Sequence, residues 1–515
     1  MSFGNLSLAG YLSALCLASA IPLSIPAGDT LANPSFANGA TGWNCYQCDF
    51  DGAVSCDDEG GSLRFVRGSD EKPGQSIAHA VLDLNQTSPS PFVYGCSVKT
   101  RDVSVAAEPS HARLGIELHV EYVDGSDAWT GPREKFEGGT HEWQRVLTEF
   151  HPLRAVRRVT FYCRSRLSGT AWFDGFVFKT LPPPPADSRG CSLLEKDGLV
   201  VLENEYLRAV FEPSVGGTCR ELTVKATGEN FAGVKHPASR LFADKLRGGG
   251  TAFRRAYDAT VLEDSPDAVE LSLKVVGLDG HPFLEIEKRF RLERTSSSLD
   301  VRYVYHNLPA AMSETVIEPY FRLAWTLRGA DRQTYYLPTS SGVRMFPSGG
   351  GDTTVTNVVA GWIAAGCEKG GASMACEFDF ARLAGNYLWL GGDDNRTAEW
   401  WFMPVKIPAG ERFETRLRLY PVKGVGFPDG AENGIACGDG GTGGDAVAIV
   451  SADRRLAEVS RKTVDRRGAK TPREDWLALT PDQIVTMAPD VAAKDVQVVR
   501  TAVKVAGAEA FSADR

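Results

Sequence analysis

The chain has 515 residues, of which 23% are charged and 10% aromatic, and its formal net charge is −9. That length exceeds what a single hydrophobic core serves and implies several domains. The acidic balance argues against a nucleic-acid partner, which would need a basic face to neutralise phosphates.

The leader SFGNLSLAGYLSALCLASAIPLSIPAGDT carries an apolar run followed by the small residues Ala18, Ser19 and Ala20. This resembles a secretory signal, although no basic residue precedes the apolar run. Residues 1–28 are therefore expected as a signal peptide, and the protein as secreted, periplasmic or cell-surface. No later stretch approaches the roughly 18 consecutive apolar residues of a membrane helix, so no transmembrane span is expected. Among 11 cysteines some could pair in an exported protein, in a pattern that sequence cannot give. The CYQC at 45–48 has redox or zinc spacing, but no second CxxC or His pair follows to complete a metal site.

The run NPSFANGATGWNC at 33–45 is built of turn formers and cannot start a helix. Its aromatics, Phe36 and Trp43, must be buried by something later in the chain. Further on, RLGIELHVEYVDGSDAWTG alternates apolar and polar residues and turns at Asp124-Gly125, a hairpin signal. EWQRVLTEFHP and VRRVTFYCRSRLSGTAWFDGFVF repeat the alternation, so residues 29–180 read as a β-sandwich. Trp129 follows the turn. It stands either as an exposed platform, with Tyr122 and Arg113 nearby, or as a plug over the end of the sandwich.

Four consecutive prolines in KTLPPPPADSRG mark a stiff linker at 181–192. Strand patterns then dominate 193–428. In VIEPYFRLAW, Glu318, Tyr320 and Arg322 share one face, while Phe321, Leu323 and Trp325 share the other. In SLDVRYVYHN, Asp300, Arg302 and His306 share a face in the same way. Such faces suit a sugar or uronate, because Arg binds carboxylates in bidentate fashion. They equally suit the solvated side of an antiparallel sheet. Trp400 and Trp401 point to opposite faces, and Trp400 is taken as the added stacking surface. Lys288 falls in phase with Leu284, Ile286, Phe290 and Leu292, which a snorkelling stem would explain.

DGAENGIACGDGGTGGD, at 429–445, reads as a glycine-rich linker. Residues 446–515 read as a small mixed segment of unknown role. It has a strand at DAVAIVS and a helix at LTPDQIVTMA, started by Thr480, Pro481 and Gln483. The fold class expected overall is all-β with that one mixed tail.

Two resemblances follow from these pieces. NPSF, GW, EWQRV and WFDGFVF occur in the order seen in jelly-roll carbohydrate-binding modules of families 4 and 9. The resemblance implies that WFDGFVF closes the sandwich over Phe36 and Trp43, and that a structural calcium sits near Asp174. ENEYLRAVFEPSVGGTCRELTVKATGEN, RYVYHNL and WFMPVKIPAGERFETRLRLYPV resemble the galactose mutarotase-like superfamily, implying a supersandwich whose concave face binds sugars. That family's acid–base chemistry would fall on Glu399, Glu318 and His306, in local contexts that depart from its motifs.

The expected function is therefore an exported carbohydrate-binding protein that presents polysaccharide or oligosaccharide to a mutarotase-like domain. A carbohydrate-active enzyme using acidic residues is the alternative. A structural surface protein is a third reading.

Overall fold

A computed structural model describes residues 31–514 apart from 57–59, 69–75, 105–113, 131–135, 182–189, 233–239, 248–251, 326–332, 368–370, 391–395, 441–445, 466–469, 482, 488–495 and 506–507. The leader, Arg113 and the proline run thus lie outside the described residues. The architecture is all-β: antiparallel strands are joined by turns and a few short 3-10 turns. No described helix is long and apolar enough to cross a membrane.

The first unit is a sandwich of two five-stranded sheets. In spatial order one contains Asn44–Tyr46, Ser76–Asp83, Val156–Ser165, Leu114–Tyr122 and Asp127–Thr130. The other contains Asp49–Asp51, Ser62–Arg67, Gly169–Thr180, Phe92–Val103 and Gly139–Phe150. Alternate residues such as Ile116, Leu118, Phe161, Phe65 and Phe173 fill the space between them. Phe36 and Trp43 join this core, their rings 5.5 and 4.5 Å from that of Phe176. The closing strand therefore buries the opening aromatics. The hairpin at Asp124-Gly125 forms, with Glu121 opposite Asp127 and Gly125 at a φ of 86°.

The second unit faces a nine-stranded sheet against smaller ones. The large sheet runs Asp258–Asp264, Ala268–Leu278, His281–Glu293, Leu299–Asn307, Arg412–Pro421, Gly371–Phe378, Trp362–Cys367, Gln333–Thr339 and Gly342–Pro347. Opposite lies a five-stranded sheet in the order Lys245–Leu246, Pro319–Leu323, Thr397–Phe402, Leu383–Trp389 and Thr353–Val355. A further sheet, built from Ser192–Lys196 to Glu229–Asn230, joins it through Leu241, which bridges to both Cys219 and Leu323. One core, including Phe290, Tyr303, Phe321 and Trp400, lies between these layers.

Lys288 does not snorkel. It is fully buried, and its Nζ lies 3.1 Å from Asp244 Oδ2 and donates to the carbonyls of Phe242 and Gly216. Burial pulls its pKa down, and the Asp244 carboxylate opposes that pull. Asp244 also accepts the Tyr303 hydroxyl and, at 3.1 Å, the backbone N–H of Arg322. A buried cation is tolerable there because its hydrogen bonds and its counter-charge are supplied together.

Two expectations for the later chain are corrected. Within the supposed glycine-rich linker, Pro428–Glu432 and Ile435–Asp439 pair as a hairpin, with Glu432 opposite Ile435. Asn433 and Gly434 sit at φ values of 55° and 74°, the left-handed pair that a two-residue turn needs. No helix starts at Thr480 among the described residues. Gln483 N–H closes a turn onto the Thr480 carbonyl, and Val485–Met487 then pairs with Val447–Ile449, as β-branched residues favour. The described part of the tail is built of strands, so it is not mixed. Leu456 in this region packs with Val93 and Leu181 of the first unit.

Candidate functional site

The outward face of the sheet around Pro319–Leu323 gathers most of the residues expected in the second unit. Phe321, Leu323, Leu388, Ala398 and Trp400 point into the core. Strand alternation therefore turns Tyr320, Arg322, Glu399, Trp401, Tyr387 and Trp389 the other way. Cross-strand register sets Arg322 opposite Glu399, and Glu399 opposite Tyr387. It likewise sets Lys245 opposite Tyr320, and Tyr320 opposite Trp401.

Arg322 and Glu399 are both buried, with Nε 3.1 Å from Oε1, and Thr397 Oγ1 donates to the same oxygen at 2.6 Å. Tyr320 also hydrogen-bonds Glu399. Burial, and then that carboxylate, push its phenol up, so it stays protonated. Tyr387 donates to Asp352 at 2.8 Å, and burial together with that carboxylate pushes it up to about 12.

Beside these polar groups lies an aromatic pair, Tyr320 buried and Trp401 half-buried. The Tyr320 and Trp401 rings are 5.6 Å apart and within 11° of parallel. Lys245 Nζ stands 4.3 Å over the Tyr320 ring, and the Arg247 guanidinium 4.8 Å over Trp401. Glu318 holds Arg247 at 3.5 Å. Gly385 makes the arrangement fit, because a Cβ there would come within 2.2 Å of Trp401 Cζ2. The indole can lie against the sheet only over a glycine.

Two expected members of this site lie elsewhere. Trp400 is fully buried and stacks on Phe321 and Phe378, so it is core and Trp401 takes the outward place. His306 points out of the nine-stranded sheet beside Glu285, at 3.7 Å, because Tyr303 and Tyr305 on its strand point inward. The core therefore separates it from Glu399, and the two cannot act on one ligand atom.

The first sandwich carries a second outward face. Trp129 is 45% exposed, and its ring stacks on His119 at 4.5 Å and 18°. Tyr162 adjoins Trp129 at 5.4 Å and His79 at 5.3 Å, which makes an aromatic stripe across the sheet. Arg164 lies 5.3 Å over Trp129 and 4.9 Å over Tyr162, and Glu117 holds its guanidinium at 3.0 Å. Tyr122 does not belong to this face. It shares the parity of Ile116, Leu118 and Val120 and is buried with them.

Asp57, Asp58 and Glu59, which follow the Asp174 partner Cys56, lie outside the described residues, and the calcium expected near Asp174 with them. Asp174 itself is fully buried, and its Oδ2 accepts Ser55 Oγ at 2.9 Å and Cys56 N–H at 2.8 Å. Among the described residues no three His, Cys, Asp or Glu side chains gather as a metal site would need. Burial raises the Asp174 pKa, and its observed work is to hold the turn at Ser55 and Cys56.

Sequence reasoning missed Lys245, Arg247, Tyr387, Gly385, His119, Tyr162, His79, Arg164 and Glu117. Alternation in Leu114–Tyr122 would have found His119 and Glu117, had its phase been set by Ile116 and Leu118.

No family model matches the chain, and no curated protein matches it. Among solved structures it is similar to a TPR-domain containing protein from Parabacteroides distasonis, at 12% identity and a TM-score of 0.34, covering 48% of this chain and 48% of that one. The chain thus spans about half of that protein's length. It is also similar to a galactose mutarotase-like protein from Clostridium acetobutylicum, at 10% identity and a TM-score of 0.33, covering 46% of this chain and 99% of that one. A xylan-binding domain of family 22 from Paenibacillus barcinonensis shares 12% identity at a TM-score of 0.22, covering 29% of this chain and 93% of that one. At these values the likenesses carry no functional argument.

Proposed function

We propose that the protein is an exported carbohydrate-binding protein, with one sugar-binding face on each of its two large β units. The observation that carries the reading is the half-buried Trp401, its ring parallel to that of the buried Tyr320, beside the buried Arg322–Glu399 pair. Pyranose rings offer apolar C–H faces that stack on aromatics, and hydroxyls that need fixed donors and acceptors. The stripe of Trp129, His119, Tyr162 and His79, with Arg164 and Glu117, repeats that combination. Two such faces on one chain raise the effective concentration of each on a polymer.

The test is titration of the full chain with a panel of soluble polysaccharides and oligosaccharides, comparing Trp129→Ala and Trp401→Ala. Each substitution is expected to weaken binding by about tenfold, the order of one lost aromatic contact. Wild-type silence across the panel, or unchanged binding in both variants, refutes the reading.

One observation favours a catalytic second reading. The protonated Tyr320 hydroxyl and the Glu399 carboxylate adjoin on one face, with Glu318 near. Such a donor and acceptor could serve ring opening at an anomeric centre. Anomer exchange lost in Glu399→Gln would establish it.

A further inference from the structure

Arg322 is only 8% exposed, yet most of its hydrogen-bonding capacity is unspent. Glu399 meets it closest at Nε, 3.1 Å away, in a geometry that completes no hydrogen bond. The terminal guanidinium nitrogens donate to no described residue. Buried donors in folded proteins are nearly always paired, so unspent ones beside an aromatic ring point to a ligand's acceptors. Lys245 holds a second unspent cation. It is half-buried, its Nζ lies 4.3 Å over the Tyr320 ring, and it makes no ion pair or hydrogen bond among the described residues. Lys245 stands opposite Tyr320, and Arg322 projects from the same face two residues on, so Lys245 is its diagonal neighbour. Backbones so related are roughly 7–8 Å apart, and long side chains close that gap. The nearby charges are already matched. Arg247 has Glu318 at 3.5 Å, and Asp352 accepts the Tyr387 hydroxyl two strands away from Arg322.

We propose that this site takes an acidic saccharide: a uronic acid whose carboxylate lies between Lys245 Nζ and the terminal nitrogens of Arg322 while its ring stacks on Trp401. The inference rests on the carbohydrate reading above and adds the charge of the ligand. A planar guanidinium fork matches a carboxylate in shape as well as in charge, and the lysine supplies a point charge from the side. Glu399 leaves room for this arrangement. It is turned to the Nε edge of the guanidinium, where Thr397 Oγ1 donates to the same oxygen at 2.6 Å, so the other edge faces the ligand. A neutral pyranose would leave the Lys245 charge unanswered.

The test titrates the full chain with oligomers of galacturonate, glucuronate, mannuronate and guluronate, each beside its methyl ester, which keeps the ring and removes the charge. Neutral oligosaccharides of the parent sugars and a sulfated glycan complete the panel. At least one uronate oligomer should bind about tenfold or more tighter than its ester, by an amount that shrinks as salt rises. Lys245→Met keeps a stem over Tyr320 and should bring that uronate down towards the affinity of its ester. Arg322→Lys keeps a charge beside Glu399 but loses the fork, and should weaken the uronate in the same direction. If that variant does not fold, Lys245→Met decides alone. Esters or neutral sugars bound as tightly as uronates, with binding lost in Trp401→Ala, overturn this inference and leave the carbohydrate reading standing. A uronate preference unchanged in Lys245→Met, one lost only in Trp129→Ala, or a sulfated glycan preferred over every uronate also overturns it. Silence across the whole panel overturns both.

Discussion

Replacing Lys288 by methionine removes the cation from the middle of the second unit and keeps most of its volume. Asp244 is then left buried, its side chain 6% exposed, with two donors, Tyr303 and the Arg322 N–H, and no counter-charge. Removing one member of a buried pair costs about 3–5 kcal/mol, because the surviving charge is uncompensated. With a urea dependence of roughly 3 kcal/mol per molar for a unit of this size, the midpoint should fall by about 1–2 M. Adding Asp244→Asn removes the stranded charge while keeping an oxygen for the Arg322 N–H. The double variant should therefore recover most of the loss, a coupling of about 2 kcal/mol or more. Urea unfolding of all four proteins measures the cycle, and hydrogen exchange at the Arg322 amide reports whether the loss reaches the site strand. An unchanged midpoint in Lys288→Met, or additive costs in the double variant, refutes the account of an ion pair that supports this strand.

Two further outcomes follow from named contacts. Gly385→Ala places a methyl 2.2 Å from Trp401, so the indole must lift off the sheet and leave Tyr320. Sugar affinity should drop about tenfold with an unchanged far-UV spectrum, and undiminished affinity would remove Trp401 from the site. Glu377 is held above the usual carboxyl range by burial, against the opposing pull of Tyr420, the Gly434 N–H and Arg418. Its contribution to stability is present below the unfolded value of about 4.5 and is lost as pH rises through the folded value. Glu377→Gln cannot ionise, so the stability of the wild type relative to this variant should decline as pH rises from about 4 to 7. Denaturant midpoints across that range measure it, and a constant difference refutes it.

What the sequence made legible, and what it hid, follows from what a period of two can encode. Alternation separates two faces of a strand but does not label them. In VIEPYFRLAW both faces were assigned correctly, because Phe321, Leu323 and Trp325 against Glu318, Tyr320 and Arg322 leave only one choice. In Leu114–Tyr122 the phase is equally clear, and it makes Tyr122 core rather than a neighbour of Trp129 on the outer face. Adjacent Trp400 and Trp401 gave no contrast at all. Only the cross-strand partners decide between them, Asn386 for the first and Gly385 for the second. His306 illustrates a different limit: its face was read correctly, but which sheet that face belongs to depends on pairings more than 100 residues apart, such as His306 with Arg412. Lys245 and Arg247 come from a two-residue strand and the turn after it, where no period exists to read. The Asn433-Gly434 hairpin was legible and was overridden by glycine content, although turn chemistry is a local constraint and composition only an average. Residues whose role depends on one strand and its two faces could therefore be found from the chain alone. Those whose role depends on which strand lies alongside could not, and a site spread over four strands is mostly of the second kind.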